Sequence, residues 1–408
     1  MSGKRIAIIG AGPIGLEAAL LGRSLGHRVQ VYERGRVAEN MMRWGHVTLF
    51  SSWKLNHTSL GARTLSESGR SLPDATDYLT GKEHVERYLR PLAKSEPLQG
   101  CVREGVEVIQ VGRDGIGKSD LIGGPRHRHP FRLLLGGNDG EEIAEADFVI
   151  DCSGTYEHHN WMGNGNVPAL GERGLQHHIA YTLKDLLGAD RESYQGRRVL
   201  LVGSGHSAAT ALDELTRLPG TSVLWVTRSG DEKAPLPIFS NDPLPERARL
   251  SEKANALAAG ADPRVAYRRA TEVERITRHG DGFVVEIRSR DLANRHETVE
   301  VDRILAHVGY HPDNRIYREL QMHECYATMG PMKLSAALLG GSSADCLAET
   351  PQDATVLQNP EPNFYVLGSK SYGKNSHFLI RIGLQQVHDV FTLIDARSSD
   401  ADLSWKAS

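Results

Sequence analysis

Short apolar runs that lead into glycine-containing turns recur along the chain, and they predict buried parallel strands. Residues 6–9 are apolar without alternation, which is typical of a strand covered on both faces. Residues 16–25 follow with helical composition, and residues 28–32 form the next predicted strand. Strand, helix and strand in this order predict a βαβ unit at the start of the chain.

Three glycines join this first strand to its helix with the spacing Gly10-x-Gly12-x-x-Gly15. Gly10 permits a tight turn, Gly12 lets a pyrophosphate approach the backbone, and Gly15 lets helix and strand pack closely. The helix N-terminus offers unpaired N–H groups to the same pyrophosphate. Glu33, at the end of the second strand, can accept hydrogen bonds from ribose hydroxyls. The segment therefore predicts a binding site for an adenine dinucleotide.

A second glycine turn follows a second apolar run. Residues 199–202 form the predicted strand, and Gly203-x-Gly205-x-x-Ala208 forms the turn, in which alanine can replace the third glycine. A helix is predicted from Ser207 onward. The chain therefore carries two dinucleotide turns, each in its own βαβ unit.

The strand after the second turn, residues 223–227, does not end in an acid. Arg228 and Ser229 stand there instead. An arginine can bind a 2′-phosphate with its planar guanidinium group, so the sequence favours NADPH over NADH at this site.

The rest of the pattern predicts further strands, helices and irregular segments. A helix is predicted at residues 80–93, with Thr80 as its N-cap. The other predicted helices are residues 245–259 and 378–396. Three further strands, residues 106–112, 131–135 and 142–146, are predicted to form a small meander. A strand at residues 148–156 is predicted to pass beneath a dinucleotide at Gly154. A hairpin is predicted around residues 280–282, and strands are predicted at residues 302–312 and 363–368. The segments without a clear period are residues 34–56, the histidine-rich 125–129, 234–245, 324–359 and 369–376.

Length, net charge and the lengths of the apolar runs limit the classes of protein to which the chain can belong. At 408 residues the chain can form two or three domains, and its net charge of −3 gives no indication of a nucleic-acid or membrane-surface partner. The longest apolar runs, such as residues 336–339, are too short to span a bilayer. The first strand begins at about Lys4, which leaves no room for a signal peptide, so a cytoplasmic protein is expected.

The four cysteines, Cys101, Cys152, Cys325 and Cys346, form no CxxC or CxxxxC pair. This spacing predicts reduced thiols and lacks the dithiol that a disulfide reductase needs. Cys152 is expected to be a small core residue, and Asp151 is expected to be structural. The histidines of residues 125–129 lack ligand spacing, so no metal site is predicted.

Together these features resemble the two-dinucleotide-binding-domain flavoproteins and, within them, the class B flavin monooxygenases: flavin-containing monooxygenases, N-hydroxylases and Baeyer–Villiger enzymes. The resemblance rests on the two glycine turns, on Arg-Trp-Gly at 43–45, and on three longer segments. These segments are residues 148–156, 302–312 and 167–181, the last ending in His177-x-x-x-Tyr181 like the family's linker before the second turn.

The resemblance implies an α/β fold with two Rossmann-like domains. An FAD-binding domain of residues 1–165 and 301–408 would carry an inserted NADPH-binding domain of residues 166–300. The implied activity is an NADPH- and FAD-dependent monooxygenase that oxidises a small N- or S-containing substrate through a flavin C4a-hydroperoxide. Tyr181 stands where Baeyer–Villiger enzymes have Trp-Pro, which favours oxidation of nitrogen or sulfur.

The chain also departs from the family pattern. Gly174 is one residue closer to His177 than in the family, His307-Val308 replaces Ala-Thr, and Gly368-Ser369 replaces Gly-Asp. An NADPH-dependent reductase that passes electrons to a quinone, a metal species or a protein partner therefore stays open. A non-enzymatic dinucleotide-sensing protein is disfavoured by two complete fingerprints.

The site residues follow from the turns, the strand ends and the resemblance. Ser51, Asn56 and His57 are the catalytic candidates near the reacting part of the flavin, and Lys374, Asn375 and His377 are candidates for its other edge. The predicted cofactor-binding residues are Gly10, Gly12, Pro13, Ile14, Gly15, Glu33, Arg34, Trp44, Gly154, Gly203, Gly205, His206, Ser207, Ala208, Arg228, Ser229, Gly368, Ser369, Asn375 and His377. The expected partners are a small-molecule substrate and O₂, with no nucleic acid and no membrane, and a homodimer is left open.

Overall fold

A computed structural model describes residues 3–230, 234–291, 295–340 and 353–405. The strands are β1 Arg5–Ile9, β2 Arg28–Glu33, β3 Val102–Glu104, β4 Val106–Arg113, β5 Phe131–Gly137, β6 Gly140–Ala146, β7 Phe148–Asp151, β8 Arg198–Val202, β9 Ser222–Val226, β10 Val265–Arg268, β11 Thr271–His279, β12 Gly282–Ser289, β13 Arg295–Val301, β14 Arg303–Ala306 and β15 Phe364–Val366.

The α-helices are α1 Pro13–Ser24, α2 Glu39–Arg43, α3 Ser59–Glu67, α4 Gly81–His84, α5 Arg90–Ala93, α6 Glu172–Leu175, α7 Arg191–Tyr194, α8 His206–Leu215, α9 Pro245–Ala258, α10 Met332–Gly340 and α11 Ile380–Trp405. A π-helical turn, Val85–Leu89, joins α4 to α5. Short 3₁₀ turns lie at Trp53–Leu55, Glu96–Leu98, Arg126–Arg128, Asn164–Asn166, Gln176–His178, Arg315–Tyr317, Ala354–Leu357 and Gly368–Tyr372. Within the described ranges, no helix is both long enough and apolar enough to cross a membrane.

The chain divides into two compact units. Unit 1 contains Met1–His158 and His311–Ser408, and unit 2 contains His159–Tyr310. The expected boundaries, at 165/166 and 300/301, therefore differ from the observed ones by seven and ten residues. The second difference arises because β14 pairs in parallel with β8, which places the predicted exit strand in unit 2.

Unit 1 is built on a five-stranded sheet in the order β15-β7-β1-β2-β3, and every neighbouring pair is parallel. Helix α1 packs against α11 where Gly22 meets Phe391; a Cβ at Gly22 would lie 2.9 Å from that ring. The predicted meander is confirmed as a separate antiparallel sheet, β4-β5-β6. In a parallel sheet of this kind the carboxyl ends of the strands line the ligand crevice.

Unit 2 has a parallel sheet in the order β10-β9-β8-β14 and an antiparallel meander, β11-β12-β13. Apolar side chains of both sheets, among them Leu200, Val226, Val285 and Ile304, share one buried core. The hairpin predicted around residues 280–282 is confirmed as the turn between β11 and β12. The two units together confirm the predicted α/β fold with two Rossmann-like parallel sheets.

Several local predictions are confirmed and others are wrong. The Thr80 hydroxyl accepts a hydrogen bond from the Glu83 amide while the Glu83 carboxylate accepts one from the Thr80 amide, so the predicted cap is a full capping box. Residues 34–56, predicted as irregular, contain α2, and the unassigned residues 324–359 contain α10. Cys346 and residues 341–352 lie outside the described ranges.

The histidine-rich segment 125–129 is not simply a solvated loop. Arg126 is 1 % exposed and donates to Glu361, which also pairs with the buried Arg113. Arg126 Nη1 donates to the carbonyl groups of Gly117 and Asp120. The buried ion triad holds this segment against the chain before β15, a contact that local sequence could not predict.

Candidate functional site

At two of the three glycines in the first turn, neighbouring backbone atoms leave no room for a side chain, whereas the space around the third glycine is empty. Gly10 has a φ of +95°, and a Cβ there would lie 2.9 Å from the Cys152 carbonyl oxygen. A Cβ at Gly15 would lie 1.9 Å from the Gly10 carbonyl oxygen. Around Gly12, by contrast, no described atom lies within 4 Å of an added Cβ. The packing of the chain explains Gly10 and Gly15, so the open face of Gly12 is available to a ligand.

That open face belongs to a cavity of about 670 Å³ at the carboxyl edge of the unit 1 sheet. The predicted cofactor residues that line it are Gly10, Gly12, Pro13, Ile14, Glu33, Arg34, Trp44, Gly154, Gly368 and Ser369. Asn375 and His377 are not among its lining residues; the His377 amide donates to the Asn375 carboxamide oxygen in the turn before α11. Helix α1 begins at Pro13, so its unpaired N–H groups lie at the cavity wall.

Glu33 is held at the end of β2 by two backbone amides. Its carboxylate oxygens accept hydrogen bonds from Ala11 N at 2.8 Å and from Gly35 N at 2.9 Å. An ionised carboxylate has about four acceptor positions, so two remain for a ligand. This arrangement orients Glu33 in the cavity wall, where it could accept hydrogen bonds from ribose hydroxyls.

Part of the cavity lining is apolar. The large apolar residues that line the cavity are Trp44, Leu49, Phe50, Phe378, Leu379 and Ile380, and Ile380 is the first residue of α11. Apolar walls exclude water from a flat aromatic ring system bound between them. These apolar residues could therefore enclose an isoalloxazine ring.

Of the three catalytic candidates, only Ser51 lines the cavity. Its hydroxyl donates to Asn56 Oδ1 at 2.7 Å, and Asn56 Nδ2 donates to the Ser51 carbonyl oxygen at 2.9 Å. Asn56 is 2 % exposed and lies behind Ser51. Asn56 therefore orients Ser51 and does not itself reach the cavity.

His57 is also directed away from the cavity. Its Nδ1 lies 2.8 Å from the Trp53 carbonyl oxygen, and its ring stacks on the Trp53 ring with centroids 4.2 Å apart. Burial lowers the pKa of His57, which the Trp53 hydrogen bond partly offsets. These contacts fit a structural, neutral imidazole.

A buried ion pair that the sequence did not indicate lies next to Cys152 and Ser153, which line the cavity. Lys370 Nζ contacts Asp151 and also donates to Ser153 Oγ at 3.0 Å. Cys152 was predicted to lie inside a strand, but β7 ends at Asp151, so Cys152 follows the strand and lines the cavity. Burial, and secondarily the charge of Asp151, raises the pKa of the Cys152 thiol well above its usual value, so the thiol is protonated at neutral pH.

Unit 2 repeats the geometry of the first turn. Gly203 has a φ of +129°, and a Cβ there would lie 2.1 Å from the His307 carbonyl oxygen. Around Gly205 no described atom lies within 4 Å of an added Cβ. Helix α8 begins at His206 and Ser207, and Ala208 is fully buried in its first turn.

Polar side chains from separate segments surround the end of β9. The Arg228 guanidinium donates to the Asn166 side-chain oxygen, and Ser229 follows in the chain. Arg290, after β12, donates to the Arg228 carbonyl oxygen at 2.6 Å. Sequence reasoning found Arg228 from its position after the strand, but no local signal could identify Asn166 or Arg290.

The segment of residues 167–181, expected as a linker, lies inside unit 2. The fully buried Glu172 accepts hydrogen bonds from the amides of Met162 and Ala169 and from the Tyr181 hydroxyl. His177 is exposed. Within the described residues, no group of three or more His, Cys, Asp or Glu side chains is placed to hold a metal ion.

A family model described as pyridine nucleotide-disulphide oxidoreductase matches residues 7–117. No curated protein matches the chain in sequence. The chain is similar in structure to the bacillithiol disulfide reductase of Bacillus cereus, with a TM-score of 0.71 and 19 % identity over 97 % of this chain and 99 % of that chain.

Two N-hydroxylating enzymes are also similar in structure. The ornithine N-hydroxylase of Kutzneria sp. 744, solved with reduced FAD, NADP⁺ and L-ornithine, has a TM-score of 0.62 and 16 % identity over 97 % of this chain and 100 % of that chain. The FAD-bound cadaverine monooxygenase of Erwinia amylovora has a TM-score of 0.63 and 13 % identity, with coverage of 96 % and 95 %. The chain therefore has the two-dinucleotide-binding-domain fold found in flavin-dependent pyridine-nucleotide oxidoreductases, including the N-hydroxylases that its sequence resembles.

Proposed function

We propose that the protein is an oxidoreductase that holds FAD in unit 1 and NADPH in unit 2. The observation that carries the proposal is the matched pair of turns at Gly12 and Gly205. Each has an open face where a ligand could lie, although the neighbouring glycine of the same turn is closed by backbone atoms. A close approach of pyrophosphate to the backbone requires this geometry.

Within unit 1, the chain's own residues would bind and orient the cofactor. The N-terminus of α1 would bind the pyrophosphate, and Glu33 would accept hydrogen bonds from a ribose. Trp44, Phe50 and Phe378 would enclose the flavin ring. Bound FAD supplies the chemistry, by accepting a hydride from NADPH and passing electrons to an acceptor.

The acceptor that we propose is O₂, of which one oxygen atom would be transferred to a small nitrogen- or sulfur-containing substrate and the other reduced to water with the two electrons from NADPH. The apolar residues that line the cavity support this proposal, because they would exclude water from the flavin and so limit the release of H₂O₂ without oxidation of the substrate. The Asn56–Ser51 pair would place a hydroxyl at the cavity wall without a charged acid or base. The protonated Cys152 thiol offers no thiolate for disulfide chemistry.

The second candidate is a reductase that passes electrons to a disulfide or a quinone. The observation that favours it is the position of Cys152, which lines the same cavity as the first glycine turn. The bacillithiol disulfide reductase is also similar to this chain over nearly its whole length. This candidate requires Cys152 to be activated in the loaded enzyme.

Both candidates are tested by NADPH oxidation with the purified, FAD-loaded protein. In air, an oxygenase should consume O₂ with NADPH, and a suitable amine or thioether from a substrate panel should lower the H₂O₂ released per NADPH and yield an oxygenated product. Under nitrogen, a reductase should instead oxidise NADPH only when a disulfide or quinone is added.

The Cys152→Ser variant separates the two candidates further. Loss of a disulfide-dependent activity in this variant would favour the reductase, whereas unchanged oxygenation would favour the oxygenase. An FAD-free protein that binds neither nucleotide would contradict both.

A further inference from the structure

An ion-pair cluster lies at the rim of the unit 1 cavity. The Glu157 carboxylate, in the loop after β7, pairs through one oxygen with Arg34 and through the other with Arg43. Arg34 follows β2, Arg43 ends α2, and Glu39 of α2 also pairs with Arg43 at 3.3 Å. Glu157 therefore connects two walls of the cavity that are distant in sequence.

The cluster faces the same space as the glycine turn. Arg34, Arg43 and Glu157 all line the 670 Å³ cavity together with Gly12. Arg34 and Glu157 also line an adjoining cavity of about 110 Å³. Glu157 is the less exposed partner, with 25 % of its side chain accessible against 52 % for Arg34 and 46 % for Arg43.

The cations near this turn are few. Among the described residues that line the two cavities, Arg34 and Arg43 are the arginines and Lys370 is the lysine. Lys370, which lines the smaller cavity, is neutralised by the buried Asp151. A diphosphate has two negative charges, and the arginines that could bind it bidentately are both paired with Glu157.

We propose that Glu157 is a counter-ion that the FAD diphosphate displaces, and that Arg34 and Arg43 transfer from Glu157 to the ligand. The proposal rests on the binding of FAD in unit 1. Glu157 and the diphosphate compete for the same guanidinium groups, so Glu157 weakens FAD binding and speeds its release. Glu157 also holds the cavity walls together while the site is empty.

The test measures FAD affinity and release, not turnover. The holoprotein is diluted to follow FAD release by recovery of flavin fluorescence, and the FAD-stripped protein is titrated with FAD. Each of the two partly exposed ion pairs of Glu157 contributes a factor of about two to five, so Glu157→Gln should tighten FAD binding roughly four- to twenty-fivefold and slow its release. The effect should shrink in 1 M salt, which screens partly exposed charges.

Two controls make the result specific. Glu142→Gln removes a surface pair with Arg103 that lies outside the cavity, and it should leave FAD binding unchanged. In an Arg34→Met/Arg43→Met background, FAD should bind more weakly, and Glu157→Gln should have no further effect because its partners are gone.

Unchanged or weaker FAD binding in Glu157→Gln would overturn the proposal, and weaker binding would assign Glu157 to direct ligand contact. If removal of FAD unfolds the protein, the rate of FAD release from the holoprotein still tests the proposal. Failure of the proposed function is a separate outcome, because then the wild-type protein binds no FAD.

Discussion

Lys370 Nζ lies 2.6 Å from an Asp151 carboxylate oxygen, and both side chains are at most 1 % exposed. Asp151 ends β7, and Lys370 follows the neighbouring strand β15. The Tyr317 ring lies 5.2 Å from the same ammonium group. The ion pair therefore fixes two chain segments that follow adjacent strands and form part of the cavity wall.

Removing one partner of this pair leaves the other as a buried, uncompensated charge. Lys370→Met should lower the free energy of unfolding by about 3–5 kcal/mol. Urea unfolding followed by circular dichroism measures this loss. Lys333→Met, at an exposed position on α10, is the control and should change stability by less than about 0.5 kcal/mol. Equal effects of the two substitutions would contradict a stabilising role for the buried pair.

Substitutions at two glycines of the first turn should have different effects, one on FAD binding and the other on folding. Gly12→Val should fold but bind no FAD, because an added Cβ meets no described atom within 4 Å and the side chain would occupy the proposed position of the ligand. Gly15→Val should fail to fold stably, because its Cβ would lie 1.9 Å from the Gly10 carbonyl oxygen. Circular dichroism and the flavin absorbance of the purified variants distinguish these outcomes. A folded Gly12→Val protein that keeps its flavin would exclude this turn as the FAD site.

Arg228 should determine the preference for NADPH over NADH. A hydrogen bond to a charged group contributes roughly 1.5–3 kcal/mol, so Arg228→Ala should weaken NADPH binding about ten- to a hundredfold and leave NADH binding nearly unchanged. Nucleotide titrations of the oxidised protein measure both affinities. Arg275→Ala, which removes an exposed pair with Glu286, is the control. Equal losses for both nucleotides in Arg228→Ala would place Arg228 away from the 2′-phosphate.

His84 should make unit 1 less stable in acid. Burial, and secondarily the nearby His57, lowers the pKa of His84 to about 3, whereas an unfolded histidine has a pKa of about 6.5. Between these values the unfolded chain binds a proton that the folded chain does not bind. Stability should therefore fall as pH falls from 6.5 towards 3, by up to about 1.4 kcal/mol per pH unit.

His84→Leu removes this titration and should flatten the dependence of unfolding free energy on pH. Urea unfolding at pH 7.5, 5.5 and 4.5 compares the slopes of variant and wild type. His307→Leu is a parallel test in unit 2, since burial lowers the pKa of His307 to about 4. An unchanged slope in His84→Leu would show that this imidazole is not the group responsible.

Tyr181 and His177 should differ, although the sequence places them in one motif. Tyr181→Phe leaves the buried Glu172 without one of its donors, at a cost of about 1–3 kcal/mol. His177→Ala changes an exposed side chain and should leave stability within about 0.5 kcal/mol. Thermal unfolding of the two variants measures the difference. A large loss of stability in His177→Ala would contradict this difference between the two residues.

The sequence alone determined the features that depend on neighbouring residues. The two glycine turns, the N-cap at Thr80 and the β11–β12 hairpin were all predicted, because their geometry is set by spacings of a few residues. The fold class followed, since a strand, a glycine turn and a helix within a βαβ unit predict a Rossmann-like domain.

Tertiary structure alone decided which distant side chains meet. Ser153 and Lys370 are 217 residues apart, and Arg34 and Glu157 are 123 apart, yet each pair is in contact. The order β15-β7-β1-β2 brings these segments to one edge of the sheet, although β15 is far from β7 in the chain. Tertiary structure likewise places Ser51 in the cavity lining and leaves its hydrogen-bond partner Asn56 out of it. The spacing of neighbouring residues does not predict strand order, because strand order depends on how the whole sheet is buried between its covering layers.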